Sequence, residues 1–155
     1  MLAALVFCAT WISIPVGIGN VNLGDSMLLL GAMTLGGPWS VVACALGATL
    51  TDLLGGYAVY APATLVIKAL MGVVAILVYK LASRLPSLVR QLLCGVCAEL
   101  VMVLGYLLYE AFFLSLGVAA LASVPFNCLQ GAFGIAVSIL SYGVLKKAKL
   151  TDLFD

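Results

Sequence analysis

The chain contains no histidine, and only 8% of its 155 residues are charged. A soluble domain carries about 25% charged residues, so a surface solvated on all sides is excluded. Without histidine there is no Ser-His or Cys-His nucleophile pair and no mixed Cys/His zinc site. Gly-x-Ser-x-Gly, a phosphate-cradling glycine loop and a second Cys-x-x-Cys pair are also missing. No enzymatic role, ATP site, metal or cofactor is therefore expected. The N-terminus lacks a basic n-region and a small-residue cleavage site, so no signal peptide is read. No charged or Pro/Ser-rich linker is long enough to divide the chain, and residues 1–155 are expected to form one domain. The net charge of +1 says little about partners, and no nucleic-acid partner is expected.

What is present is apolar sequence, 65% of the residues. Proline, glycine and charge punctuate it into six helical segments, which predicts an all-α polytopic membrane protein. The expected helices run from near Met1 to Ile14, from Asp25-Ser26 as a cap to Leu35, and from Pro38 to Leu54. Three more run from Ala63 to Leu81, from Leu88 to Leu116 and from Ala119 to Leu145. At ~1.5 Å per residue the first reaches only ~21 Å of a ~30 Å membrane core, so it starts flush with one interface or is preceded by further residues. The glycine-rich segment from Pro15 to Gly24 reads as a loop, and the tail beyond Lys149 as short and polar.

Six of the seven bases fall at one end of such a bundle: Lys80, Arg84, Arg90, Lys146, Lys147 and Lys149. The positive-inside rule places that end, with both termini, in the cytoplasm. Glu99 lies nine residues beyond Arg90, ~13 Å into the membrane, and Glu110 lies ~30 Å from it, near the outer interface. Asp25, Asp52, Lys68 and Glu110 then share the outer half. That distribution describes an externally open polar pocket.

Helix periodicity puts Glu99, Met102, Tyr106, Tyr109 and Phe113 on one face of the fifth helix. On the sixth, Asn127 and Gln130 stand three residues apart. Aromatics against a flat ring, with Glu99, Asn127 and Gln130 on its polar edge, would make a small-molecule site. Buried amides that glue helices together would look the same. For Asn127 and Gln130 alone the readings are level, and Glu99 on the neighbouring helix tips the balance to a site. Asp52 and Lys68 are expected to neutralise one another as a structural charge pair. Tyr57 and Tyr60 edge the pocket or sit in an interfacial belt. Trp39 suits a belt at the cytoplasmic turn, while Trp11 is placed to cover the pocket. Cys94-x-x-Cys97 reads as two small packing residues on one helix face. Ala4 and Cys8, four apart, would let another helix approach closely, and spacing alone does not say whether that helix is the protein's own.

Several stretches resemble the S components of energy-coupling factor (ECF) vitamin transporters. They are Ile14-Pro15, Val21-Asn22-Leu23-Gly24-Asp25, Tyr60 through Gly72, Gly105 through Glu110, and Pro125-Phe126-Asn127-Cys128-Leu129-Gln130. The likeness covers nearly the whole chain and is nearest the branch that groups riboflavin, hydroxymethylpyrimidine and pyridoxine carriers. It implies a six-helix transmembrane bundle in the cell membrane and an outward vitamin site closed by the loop after helix 1, which carries Asn22. It also implies docking on a transmembrane coupling protein driven by two ATPase subunits, with the bound vitamin carried inward as the S component topples. The family's Ala-x-x-x-Ala docking motif on helix 1 corresponds here to Ala4 and Cys8, a departure that keeps the small-small spacing.

No positive cluster faces outward, and Tyr106, Tyr109 and Phe113 limit the pocket's reach. A small neutral heteroaromatic, pyridoxine or hydroxymethylpyrimidine, is therefore expected ahead of riboflavin. The expected substrate contacts are Glu99, Asn127, Gln130, Tyr106, Met102, Tyr60, Tyr57, Asn22 and Trp11. The competing reading is a non-transporting membrane assembly protein whose small-residue faces bind partner helices.

Overall fold

The computed structural model describes residues 1–16 and 19–149. Gly17 and Ile18 of the expected loop, and the expected polar tail at 150–155, lie outside the described residues. Six helices are present: α1 (Leu2–Trp11), α2 (Gly24–Thr34), α3 (Pro38–Leu54), α4 (Ala61–Leu81), α5 (Ser87–Leu108) and α6 (Val124–Lys147). Between α1 and α2 the chain forms an antiparallel hairpin, β1 (Ser13–Val16) and β2 (Gly19–Asn22), with Ser13 opposite Asn22 and Val16 opposite Gly19. A hairpin thus replaces part of the expected loop. It also takes Ser13 and Ile14 into a strand, so α1 ends at Trp11, short of the expected Ile14. The returning chain docks on α1 where the Leu23 N–H donates to the Ala9 carbonyl at 3.1 Å.

Local chemistry accounts for the helix starts. Gly36 takes φ +56°, a left-handed turn that glycine enters without a side-chain clash, and Pro38 then opens α3. Pro62 and Pro125 occupy the first turns of α4 and α6, where a missing N–H costs no helical bond. The expected cap on α2 does not form. Leu23 is at the cap position without a side-chain bond, and Asp25 is instead buried inside the protein. α5 ends earlier than expected, at Leu108, and runs into one π turn, Tyr109–Phe113. A 3₁₀ segment, Gly117–Ala122, stands where the start of α6 was expected.

α4 packs against α3 and α5, α6 against α5 and α2, and α1 against α2 and α3. α1 and α3 cross closely at Gly47, where an added Cβ would fall 2.5 Å from the Ala3 carbonyl oxygen. Leu28, Leu29, Met71, Cys94, Ala98 and Met102 fill the interior. By length and composition, the described residues contain three segments able to cross a membrane: Ala61–Arg84, Ser87–Phe113 and Gly117–Lys147. Their outer faces carry Leu70, Leu77, Leu100, Leu108, Leu140 and Val144, each more than half exposed. Such an apolar exterior suits lipid, since soluble monomers rarely expose large contiguous apolar patches. α1, α2 and α3 have 10, 11 and 17 residues, short of the ~20 a full span needs. Six helices do not amount to six full-length spans.

Candidate ligand-binding site

A cavity of about 490 Å³ opens at the end of the bundle where the last turns of α1 and α3 meet β2, the first turns of α2, α4 and α6, and the far end of α5. The bases expected at one face lie at the other end of the long helices: Lys80 and Lys146-Lys147 in last turns, and Arg90 in the first turn of α5.

The floor is a polar network. Lys68, one side of α4, forms a buried ion pair with Asp25 in the first turn of α2. The second Asp25 oxygen accepts from Gln130 Nε2 at 2.6 Å. Asn22 Nδ2 reaches Gln130 Oε1 at 3.5 Å, while its own Oδ1 accepts the Gly24 N–H at 2.9 Å. Lys68 also faces the Tyr106 ring, 5.9 Å from its centroid, and Tyr106 shares a 2.9 Å hydrogen bond with Thr64. The expected Asp52–Lys68 pair is thus corrected: the cation's partner is Asp25. Asp25 sits at a helix N-terminus, where the backbone N–H groups favour negative charge, whereas Asp52 is in the last turn of α3.

The mouth has a second acid. The π turn carries Glu110 to the cavity wall, where its two oxygens accept from Tyr60 (3.4 Å) and from Ser123 (2.5 Å). Tyr60 leans on Tyr106 and Tyr109, with ring centroids 6.5 and 5.8 Å away. The 53° tilt between Tyr60 and Tyr106 makes an aromatic edge, not the parallel-walled slot that a sandwiched ring would need.

Of the expected substrate contacts, Trp11, Asn22, Tyr57, Tyr60, Tyr106, Asn127 and Gln130 line the cavity. Glu99 and Met102 do not. Met102 is fully buried in the apolar core. The Glu99 carboxylate is packed beneath the floor against Gly131 and Gly134, and neither of its oxygens has a hydrogen-bond partner among the described residues. The expected face of α5 is therefore divided: Tyr106 reaches the cavity while Glu99, two turns deeper, stays behind α6. Asp52 joins the lining, and so do Asp25, Thr64, Glu110 and Ser123, which the amide-centred sequence reading had not placed among the contacts. The outer-half clustering of acids was the signal that pointed to them. Cys94 and Cys97 are free thiols, and Cys94 donates to the Ala75 carbonyl at 3.3 Å. Ala4 and Cys8 are exposed together on α1, opposite the buried Val6 and Ala9.

The sequence model of the family described as ECF-type riboflavin transporter, S component, matches residues 1–147. The chain belongs to this family. As an ECF S component it is a membrane-embedded transporter subunit that binds substrate and works with the other subunits of an ECF module. A comparison with curated proteins gives no match to the chain. The S component's cavity has a neutralised floor, an acidic mouth and an aromatic edge. It can hold a largely uncharged molecule by hydrogen bonding and stacking.

Proposed function

We propose that this S component captures a heteroaromatic vitamin from outside the cell, with riboflavin the leading substrate, and passes it inward against a coupling protein driven by two ATPases. The observation that carries the reading is the 490 Å³ cavity in a chain matched over 1–147 by a family described as riboflavin-type. Pockets of ~300–1,000 Å³ take drug-sized ligands, and a tricyclic flavin with its polyol chain uses such a volume better than a single substituted ring. Pyridoxine or hydroxymethylpyrimidine is the second reading, favoured by the Tyr60–Tyr106 edge, whose tilt suits one small ring. The bases at the end opposite the cavity support an outward-facing mouth and cytoplasmic termini.

Native mass spectrometry of the protein purified from vitamin-rich medium tests the substrate. A stoichiometric flavin with its yellow absorbance is expected. Retained pyridoxine or hydroxymethylpyrimidine selects the second reading, and no retained or added vitamin bound at all sinks both. The exposed Ala4–Cys8 face is the proposed docking surface for the coupling protein. Ala4→Trp should abolish vitamin uptake in cells carrying the ECF module and leave vitamin affinity of the isolated S component within about threefold. Loss of both together would mark a folding defect and remove the docking assignment.

A further inference from the structure

Three carboxylates face the cavity, from Asp25, Asp52 and Glu110, against one base, Lys68, among the described residues that line it. Two of the acids are already engaged. Asp25 holds Lys68 and Gln130, and Glu110 holds Tyr60 and Ser123. Asp52 differs. Its Oδ2 is buried and has no hydrogen-bond partner among the described residues. Its place in α3 does not explain it either. Two residues before the helix ends at Leu54 it meets the negative pole of the helix, where an acid is locally unfavourable. A residue that works against its own helix and leaves an acceptor unused at a cavity wall has its use in the cavity.

We propose that Asp52 is the ligand's hydrogen-bond anchor and the residue that sets charge selectivity. It accepts an N–H or O–H from an uncharged ligand and, with Glu110, repels phosphate monoesters. With the one cation among the described lining residues held by Asp25, none of those residues offsets a phosphate's charge. The ligand class is therefore a donor-bearing free vitamin and not its phosphorylated cofactor form. This inference rests on the vitamin reading and deepens it.

The test is isothermal titration of the full chain in detergent with riboflavin and its 5′-phosphate, and with pyridoxine and its 5′-phosphate. The wild type should bind the free vitamin at least ~100-fold more tightly than the phosphate, since like charges placed together at a site cost several kcal/mol. Asp52→Asn should weaken the free vitamin ~10-fold, the usual scale for a hydrogen bond to a charged group, and narrow the gap to the phosphate by a similar factor. Asp52→Glu, which keeps the charge, should hold the gap. If Asp52→Asn does not fold, the wild type alone decides. Raising salt should shrink a gap that comes from charge, and a salt-independent gap overturns the proposal. Equal affinity for vitamin and phosphate, or an unmoved gap in a folded Asp52→Asn, overturns it while the vitamin reading stands. No binding of any probe by the wild type removes both.

Discussion

The two ends of the helical bundle both bury polar groups and do opposite things. At the basic end, Arg90 Nε donates to the Tyr79 carbonyl at 2.6 Å and its guanidinium lies 3.5 Å over the Tyr79 ring. Tyr79 in turn donates to Tyr142 at 3.1 Å, so α4, α5 and α6 are tied together. At the cavity end polar groups are buried too, but one acceptor, Asp52 Oδ2, is left on the wall without a hydrogen-bond partner among the described residues. One end locks helices together. The other holds a room open with a neutralised floor. Polar groups inside an apolar protein are costly, and an acceptor left open on a cavity wall separates the binding end from the structural clamp.

Substitutions at the two ends should break this contrast in order of size. Lys68→Met leaves the buried Asp25 carboxylate without its cation and should cost ~3–5 kcal/mol in denaturant unfolding. Adding Asp25→Asn should recover most of that loss, because it removes the orphaned charge, keeps the volume and still offers Gln130 an acceptor. A double variant as unstable as the single one would show that the pair's geometry, not the orphaned charge, governs stability. Arg90→Ala, at the clamp, should cost about 1–2 kcal/mol through the lost stacking and hydrogen bond, with vitamin affinity untouched. A tenfold loss of affinity there would mean the clamp and the cavity are coupled. Glu99→Gln should have the smallest effect, within ~1 kcal/mol of wild type, because neither oxygen has a hydrogen-bond partner among the described residues and the residue is not on the wall. A large fall in vitamin affinity would return Glu99 to the ligand set.

Much of the frame was legible in the residues. Pro38 marked a helix start, the six helices followed from the apolar runs, and the clustering of acids opposite the bases located the cavity. Other features were not. The Pro15–Gly24 segment reads as a loop because its hairpin depends on pairing between two short runs whose propensities are weak. The π turn at Tyr109–Phe113 is one residue's change in hydrogen-bond register, invisible to a 3.6-residue period. Lys68 reads as the partner of Asp52 and not of Asp25, because periodicity assigns a side chain to a face of its own helix without saying which neighbour lies there. The same limit misplaced Glu99, which shares a helical face with Tyr106 yet falls behind Gly131 and Gly134 of α6.

The sequence by itself determined that this is a helical membrane protein with no His-based chemistry, with polar groups gathered at one end and bases at the other. Those are matters of solvation and charge, which composition and order along the chain express directly. Only the tertiary structure decided that Asp25 holds Lys68, that Glu99 stays below the floor, and that Asp52 is left with an open acceptor. These depend on which helix faces which, and that is settled when all six pack at once around a shared interior.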